Sequence, residues 1–404
     1  MDGLSALRPP VGGLPYERTA ELHGLKLAIV TGNYNYVKEG ANQALNKLAR
    51  HLIDRLGARV RAYSPVTATP AFAPEGILVP VPSVPLPGRS EFRLALGLPA
   101  AIRADLDAFA PDIVHIATPD ILGVRAQRFA RSRGWPVVAS LHTHFERYCD
   151  YYRLGMLRPL VERHLDRFYR RSDRILAPTP QVVADFAVQH GARKVSLWSR
   201  GVDTRLFHPA RRSDLWRASH GIGPDDAALL FFGRLVLEKG VDRFVESVVR
   251  LRAGGVPVRP VIVGEGPARS RLAAALPDAV FAGHLAGPSL AIAVASCDVL
   301  LNPSLTEAFG NVTLEAMASG LAVVAADVAS SCNLIAPGVS GLLASADPED
   351  LVTKTALAIT DRGLRAGLAR AARARALDFQ WDAVLDAVIA SYAQTLDRRT
   401  QVAP

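Results

Sequence analysis

Two glutamates, Glu307 and Glu315, stand eight positions apart on either side of a glycine. A strand is predicted over residues 298–304, and open α/β sheets bind ligands beyond the carboxyl ends of their strands. Gly310 permits an unusual backbone angle or a close approach by a ligand, and a helix is expected from about Asn311, where free N–H groups suit a phosphate. Because two carboxylates would repel that phosphate, they are expected to accept hydrogen bonds from sugar hydroxyls. The simpler interpretation is an exposed Glu307 and a Glu315 that complements the helix dipole; we prefer the ligand site for the whole segment.

Gly233, Arg234, Lys239 and Gly240 follow a second predicted strand, over residues 228–233. A strand that ends in glycine and arginine, with a lysine five positions later, can direct two cations into one crevice. A diphosphate leaving group needs such neutralisation, to which charge-assisted hydrogen bonds contribute about 1.5–3 kcal/mol each. An exposed turn would explain either cation alone, and the strand context favours the site.

The run Gly264-Glu265-Gly266-Pro267 follows a third predicted strand and partly matches a dinucleotide-binding fingerprint. Arg269 replaces the third glycine, and His284 stands where an acidic residue would bind a ribose. An NAD site is therefore disfavoured, and we predict a tight turn near a nucleotide base.

The first half of the chain offers Gly40 at a predicted helix start and His142 at the end of a predicted strand. Gly40 either lets backbone amides face a phosphate or is an ordinary capping residue. His142 is expected to face the crevice, whereas His144 is interpreted as a surface residue, and their alternation across the strand disfavours a shared metal. The pair Asp105 and Asp107 has a metal-binding spacing but falls in a predicted amphipathic helix, so a solvated helix face is preferred.

Eleven short apolar runs alternate with helical patterns, which predicts parallel sheets covered on both faces. They fall into two series of about five, so the predicted fold class is α/β with two Rossmann-like domains; a closed eight-fold barrel is the competing architecture. The predicted boundaries are a loose tail over 1–24, an N-terminal domain over 25–200, a C-terminal domain over 201–378 and a final helix within 379–404.

The 404 residues are 49% hydrophobic and carry a formal net charge of +9, so both domains can bury a core and an anionic partner is worth considering. No apolar stretch is long enough to span a membrane, and the first residues lack the apolar region of a secretory signal. The three cysteines form no CxxC pair, so neither a disulfide framework nor a structural zinc site is predicted, and a cytoplasmic location is the simplest.

Residues 125–174 hold twelve arginines, no lysine and only five acidic residues. Within them, residues 153–174 read as a basic amphipathic helix, which either lies on an anionic membrane surface or packs its apolar side on the sheet. No RNA- or DNA-binding pattern accompanies the charge, so nucleic acid is not an expected partner.

Together these segments resemble glycosyltransferase family 4, whose members are retaining enzymes of the GT-B fold, with two Rossmann-like domains facing across a cleft. The resemblance rests on Glu307-x7-Glu315 with Phe309-Gly310-Asn311, on Gly233-Arg234 with Lys239-Gly240, and on Gly201-Val202-Asp203, Gly264-x-Gly266-Pro267 and His142. It implies that the second domain binds a nucleotide-diphosphate sugar and the first binds the acceptor, and that the last helix crosses back to the first domain.

The resemblance also implies a role for each site residue. Arg234 and Lys239 would hold the diphosphate, and amides near Val312 and Thr313 would bind the phosphate. Glu307 and the backbone of residues 309–311 would bind the donor sugar, and His142 would contact that sugar near the reacting centre. Glu315 would bind the ribose. Neither a nucleophile nor a metal or other cofactor is expected. The sequence departs from the family at Glu39-Gly40-Ala41 and at residues 329–333, where family members often carry a Gly-Gly pair.

The expected function is transfer of a hexose, with mannose favoured, from a nucleotide-diphosphate sugar to a membrane lipid or lipid-linked acceptor. The enzyme would be cytoplasmic, peripheral on the inner face of the cytoplasmic membrane. Alternatives are a UDP-glucose- or UDP-glucuronate-dependent lipid or polysaccharide transferase, a GT-B epimerase or phosphorylase, and a non-enzymatic binder that uses the arginine-rich segment.

Overall fold

The structure is a computed structural model that describes residues 21–37, 39–86, 89–141, 158–307 and 309–400. The chain forms two compact units. Of the described residues, 21–199 and 382–400 belong to the first unit, and 200–381 to the second. None of the described helices is long and apolar enough to cross a membrane.

The first unit is built on a parallel sheet of seven strands in the order β3-β2-β1-β6-β7-β8-β9. Its strands are β1 (Lys26–Val30), β2 (Arg59–Ser64), β3 (Ile77–Pro80), β6 (Ile113–Ile116), β7 (Val137–Ser140), β8 (Arg174–Ala177) and β9 (Val195–Leu197), and β4 (Ser83–Leu86) and β5 (Arg89–Ala95) form an antiparallel hairpin. Its helices are α1 (Gly40–Leu56), α2 (Ala100–Phe109), α3 (Ile121–Ser132), α4 (Arg158–Arg170) and α5 (Pro180–His190).

The second unit repeats this plan with a parallel sheet of six strands in the order β12-β11-β10-β13-β14-β15. Its strands are β10 (Ala228–Phe232), β11 (Arg259–Val263), β12 (Val280–Gly283), β13 (Val299–Asn302), β14 (Ala322–Ala326) and β15 (Leu342–Ala344). Its helices are α6 (Asp214–Ser219), α7 (Val241–Ala253), α8 (Arg269–Ala275), α9 (Gly287–Ala295), α10 (Asn311–Ala318), α11 (Ala329–Leu334), α12 (Pro348–Thr360) and α13 (Arg362–Ala376).

Strand β10 shows why these segments fold as central strands. All five of its residues are buried, and successive side chains alternate between two cores, with Leu229 and Phe231 in one and Leu230 and Phe232 in the other. Helices therefore cover both faces of the sheet. The predicted fold class, α/β with two Rossmann-like domains, is confirmed.

The remaining helix, α14 (Trp381–Thr400), contributes its residues from Asp382 onward to the first unit. Buried Tyr392 lies with its hydroxyl 2.6 Å from Nδ1 of His115 on β6, and Nε2 of His115 lies 2.8 Å from the hydroxyl of Ser140. Complete burial lowers the pKa of His115 to about 3, so this imidazole is neutral. The contacts attach the end of the chain to the sheet.

The structure also contains four strands that the hydrophobic pattern did not predict: β3, β4, β5 and β15. β15 has only three residues, and β4 includes Pro85, which cannot donate a ladder hydrogen bond. Short edge strands and proline-containing hairpins give little signal in a search for apolar runs.

Candidate functional site

The candidate site lies where the order of the second sheet reverses. The chain winds outward through β10, β11 and β12 on one side and through β13, β14 and β15 on the other, so β10 and β13 are neighbours. In open α/β sheets the crevice beyond the carboxyl ends of such a pair binds ligands. Gly233 and Arg234 follow β10, and Glu307 follows β13, so both predicted motifs lie at this point.

Lys239, in the loop after β10, and Glu307, in the loop after β13, form an ion pair. Nζ of Lys239 donates to Oε1 of Glu307 at 2.6 Å, and the glutamate side chain is only 11% exposed. The second carboxylate oxygen, Oε2, has no hydrogen-bond partner among the described residues. One oxygen of Glu307 is thus fixed by the lysine while the other remains able to accept a ligand hydroxyl.

The two loops are also joined through their backbones. The hydroxyls of Ser304 and Thr306 donate to the carbonyl oxygen of Glu238 at 3.2 and 3.0 Å. Gly240 has φ +76°, and a Cβ there would lie 2.8 Å from the carbonyl oxygen of Pro303. Only glycine fits this approach without strain, which explains the glycine directly after Lys239.

Arg234 differs from Lys239 in its surroundings. Its side chain is 70% exposed, and within the described part of the chain its single ion pair is a long one, 3.9 Å to Glu238. The guanidinium therefore keeps most of its five N–H donors for another partner. Lys239 is thus bound to Glu307 whereas Arg234 is open to solvent, and their shared role in holding a diphosphate stays a prediction.

Helix α10 begins where the sequence predicted, after Gly310. Gly310 has φ +93°, in the left-handed region, and the first N–H groups of a helix, here near Asn311, Val312 and Thr313, lack intrahelical acceptors. Nδ2 of Asn302, at the end of β13, donates to the hydroxyl of Thr313 at 2.9 Å and so fixes this first turn. The helix start is a place where an anion would be stabilised.

Two further contacts border the start of α10. A Cβ on Gly233 would lie 3.8 Å from Cγ1 of Val312, so the end of β10 lies beside the first turn of α10. Buried Phe309 packs edge-to-face on Phe379, with ring centroids 6.3 Å apart, which anchors the loop that precedes the helix.

Glu315 lies one turn inside α10 and is partly buried. Burial raises the pKa of its carboxyl to about 7, and no hydrogen bond or ion pair reaches it from the described residues. A desolvated carboxylate without donors would gain from hydrogen bonds to ligand hydroxyls. The ribose contact of Glu315 stays a prediction.

Gly264 and Gly266 follow β11 and lie against the loop after β10. A Cβ on Gly264 would clash with the carbonyl oxygen of Gly233, and one on Gly266 with that of Leu235. The backbone N–H of Leu235 donates to the carbonyl oxygen of Glu265 at 2.9 Å. Both glycines allow close backbone approach here, and contact with a nucleotide base stays a prediction.

The first unit holds the remaining predicted residues. Gly40 is the first residue of α1, where Glu39 and Asn42 form a capping box, with the Glu39 N–H donating to Oδ1 of Asn42 at 3.1 Å. This cap already uses part of the helix start, so the phosphate role of Gly40 stays a prediction. His142 lies outside the described residues.

Asp105 and Asp107 lie on α2, as predicted, and bind different partners. Asp105 accepts hydrogen bonds from Arg61 and Tyr63, each at 2.8 Å. Asp107 forms a two-fold hydrogen-bonded pair with Arg133. In the described residues no group of three or more His, Cys, Asp or Glu side chains is arranged to hold a metal ion.

Three contributors to the site were missed by sequence reasoning: Asn302, Ser304 and Thr306. Asn302 is a polar residue that ends the otherwise apolar strand β13, which is the one signal that could have drawn attention to it. The hydroxyls of Ser304 and Thr306 bind a carbonyl from a loop over sixty residues earlier, a contact that no local pattern indicates.

Comparisons with known proteins bear on the family of the chain. Residues 39–206 match a family described as Glycosyltransferase Family 4, and residues 226–361 match Glycosyl transferases group 1. The chain is 33% identical over 386 residues to a GDP-mannose-dependent alpha-mannosyltransferase of Mycolicibacterium smegmatis, covering 93% of this chain and 99% of the relative.

A further relative and a solved structure extend these comparisons. A GDP-mannose-dependent alpha-(1-6)-phosphatidylinositol dimannoside mannosyltransferase of Mycobacterium tuberculosis is 30% identical, covering 78% of this chain and 82% of the relative. The solved sucrose-phosphate synthase of Thermosynechococcus elongatus has a TM-score of 0.72 at 18% identity, covering 94% of this chain and 100% of that one. The family matches, the similarity along almost the whole chain and the shared fold show that the chain belongs to glycosyltransferase family 4 and is a glycosyltransferase.

Proposed function

We propose that the enzyme transfers mannose, with retention of configuration, from GDP-mannose to a membrane lipid or lipid-linked acceptor. The observation that carries the proposal is the Lys239–Glu307 pair beside the start of α10, in a chain 33% identical to a GDP-mannose-dependent alpha-mannosyltransferase. The relatives support the identity of the donor base and sugar. The geometry supports the roles of the residues that would bind the donor.

Departure of the nucleotide diphosphate is the step that the described residues can assist. Negative charge accumulates on the leaving diphosphate, and fixed positive groups stabilise it most when they need no rearrangement. Lys239 is held by Glu307, and Asn302 fixes the first turn of α10, so these two sets of donors are preorganised. Arg234, which is exposed and only weakly paired with Glu238, would move onto the phosphates when the donor binds. These groups neutralise the leaving group without a metal, so we propose that transfer continues in the presence of a chelator.

We assign binding of the donor sugar and of the ribose to the two carboxylates. Oε2 of Glu307 is the oxygen available to a sugar hydroxyl, since Oε1 is bound to Lys239. Glu315, without donors from the described residues, is placed one turn further along α10 for the ribose hydroxyls. We assign no nucleophile, and attack by the acceptor on the face that the diphosphate leaves accounts for retention.

A lipid acceptor is supported by the relative named for a phosphatidylinositol dimannoside and by the surface of α3 and α4. The two helices lie side by side, because Nε2 of Gln127 on α3 donates to the carbonyl oxygen of Phe168 on α4. Arg163 and Arg167 are exposed on α4 and have no ion pair with any described residue, while Leu160 is 66% exposed. Cations around an exposed leucine suit an anionic lipid surface.

Donor specificity is tested by incubating the purified enzyme with GDP-mannose, UDP-glucose and UDP-glucuronate and measuring nucleotide release and sugar transfer to a lipid extract. Transfer from GDP-mannose alone is expected, with an α-linked product. Transfer from either UDP-sugar in its place would overturn the donor assignment.

The site assignment is tested with Arg234→Ala and Glu307→Ala, against Arg271→Ala as a control. Arg271 is also an exposed arginine of the second unit, 64% exposed, but lies on α8. We expect both site variants to lose transfer while the control retains it. Near wild-type rates in Arg234→Ala and Glu307→Ala would show that the site is elsewhere.

Membrane contact is tested by sedimentation with liposomes of anionic and of neutral lipids. The double variant Arg163→Glu/Arg167→Glu is expected to lose binding to anionic liposomes. Arg103→Glu/Arg193→Glu makes the same change in net charge at exposed positions of the same unit and is expected to bind normally. Equal binding by the two double variants would remove the support for α4 as the contact.

A further inference from the structure

The hairpin of β4 and β5 in the first unit carries apolar side chains on one of its two faces. Val84 on β4 lies opposite Leu94 on β5, and Leu96, two residues further along the chain, continues the same face. Val84 is 43% exposed and Leu96 is 61% exposed. We call Val84, Leu94 and Leu96 the hairpin stripe.

The other face of the hairpin is directed at the protein. Ala95, opposite Ser83, is 3% exposed and belongs to a core cluster of the first unit. Arg93, on the same face as Ala95, donates from Nε to the hydroxyl of Ser83 at 2.8 Å and from Nη2 to its carbonyl oxygen at 2.9 Å. An antiparallel pair with one buried face normally turns polar side chains to water on the other, so the exposed hairpin stripe indicates a partner.

Helix α3 borders the end of the hairpin stripe. Gly97 follows Leu96, and a Cβ on Gly97 would lie 3.1 Å from Cδ and 3.4 Å from Cζ of Arg125. Arg125 is exposed, and its guanidinium forms no ion pair or hydrogen bond with another described residue. Ile121, one turn earlier on the same side of α3, is 44% exposed. An available cation therefore lies among exposed apolar side chains.

The start of α4 extends this surface. Nε2 of His164 on α4 lies 3.0 Å from the carbonyl oxygen of Pro119, just before α3, so the two helices begin side by side. Leu160, one turn before His164, is 66% exposed. Exposed apolar side chains therefore continue from the hairpin stripe across the starts of both helices.

We propose that the hairpin stripe, Ile121 and Leu160 insert into the acyl-chain region of a membrane, with Arg125 at the level of the lipid phosphates. The inference rests on the membrane contact proposed above and deepens it, because there arginines attract the headgroups and here apolar side chains enter the hydrocarbon. Arginine suits that depth, since its stem can lie along apolar surface while the guanidinium stays at the headgroups. Ile121 follows the carboxyl end of β6 by only a few residues, so a lipid acceptor would reach that edge of the sheet without leaving the membrane.

The charge of this surface favours a lipid partner over a second copy of the chain. Two copies that met symmetrically through this face would bring their Arg125 side chains, and the neighbouring Arg163 and Arg167 of α4, towards one another. Such like charges repel, whereas anionic headgroups would compensate all three arginines.

Insertion is tested by sedimentation with anionic liposomes at low salt and in about 1 M sodium chloride, where charge attraction is screened beyond about 3 Å. The wild type is expected to stay partly bound in high salt, because burial of apolar side chains is not screened. Val84→Ser/Leu96→Ser is expected to bind about tenfold more weakly at low salt and to be released by high salt. Val188→Ser/Leu215→Ser makes the same replacements at exposed positions on α5 and α6 and is expected to bind like the wild type.

Depth is tested with Leu96→Trp and vesicles whose phospholipids carry bromine on their acyl chains, which quenches tryptophan within the hydrocarbon. We expect stronger quenching for Leu96→Trp than for the wild type, and no added quenching for Leu215→Trp. Thermal melting and light scattering without lipid measure folding and oligomeric state, and all variants are expected to match the wild type because the replaced side chains are exposed.

Four results would overturn the proposal. They are complete release of the wild type by salt, equal binding by the two double variants, no added quenching in Leu96→Trp, and a dimer that Val84→Ser/Leu96→Ser alone dissociates. The measurements need neither donor nor acceptor, so a failure of the proposed transfer reaction is distinguished from a failure of insertion.

Discussion

Replacing Glu315 by glutamine should stabilise the ligand-free enzyme at alkaline pH. Burial raises the pKa of this carboxyl from 4.5 to about 7. Because the folded-state pKa lies above the unfolded one, the folded protein holds the proton more tightly, and the free energy of unfolding falls as pH rises from about 4.5 to about 7. Above that range the full destabilisation by the buried charge remains, and a neutral amide would avoid it.

The magnitude follows from the two pKa values. Their difference corresponds to an upper limit of about 3 kcal/mol, and the partial exposure of Glu315 reduces it to about 1–2 kcal/mol through solvent screening. For a unit of this size each kcal/mol shifts the melting temperature by about 2–4 °C. Glu315→Gln should therefore melt about 2–8 °C above the wild type at pH 8.

The assay is thermal melting of wild type and Glu315→Gln at pH 8 and near pH 5, without nucleotide. The difference in melting temperature should shrink towards pH 5, where the wild-type carboxyl is protonated in the folded state. Glu238→Gln is the control, since Glu238 is 50% exposed. A difference that is independent of pH, or a lower melting temperature for Glu315→Gln at pH 8, would refute the burial reasoning.

Three further predictions concern single contacts. Gly264→Ala should lower the free energy of unfolding in urea by about 3 kcal/mol or more, because it adds strain at positive φ and a clash with the Gly233 carbonyl. Gly287→Ala, also at positive φ but with nothing near its Cβ, should lower it by only about 1–2 kcal/mol. Equal losses in the two variants would contradict the close approach at Gly264. Tyr392→Phe should cost about 1–3 kcal/mol in urea unfolding, because it leaves buried His115 without its Nδ1 partner, and an unchanged midpoint would contradict this. Lys239→Met should weaken nucleotide-diphosphate binding about tenfold in calorimetry, and Arg271→Met should not; similar affinities would remove Lys239 from the site.

The parts of the fold that the sequence predicted well are those with a local cause. Strand β10 is an uninterrupted buried apolar run, and the start of α10 follows from Gly310 and the residues after it. The two motifs that flank the sheet reversal were therefore placed at the correct edge. Their meeting follows from topology, since β10 and β13 are neighbours in the sheet.

The parts that the sequence did not predict depend on contacts between distant residues. The Lys239–Glu307 pair joins residues sixty-eight positions apart, and it gives Lys239 surroundings unlike those of the exposed Arg234. His115 lies inside an apolar strand and reads there as an ordinary core residue. Its hydrogen bond to Tyr392, near the end of the chain, is a product of tertiary packing.

The two units become complete at different times during synthesis, because only the second is built from a single continuous stretch of the described residues. Residues 200–381 are continuous, so the second unit has all its residues as soon as that stretch leaves the ribosome. The first unit begins earlier but lacks residues from Asp382 onward until the whole second unit has been synthesised. Until then His115 and Arg174 lack Tyr392 and Thr395 as partners, so the unit made first is the one completed last.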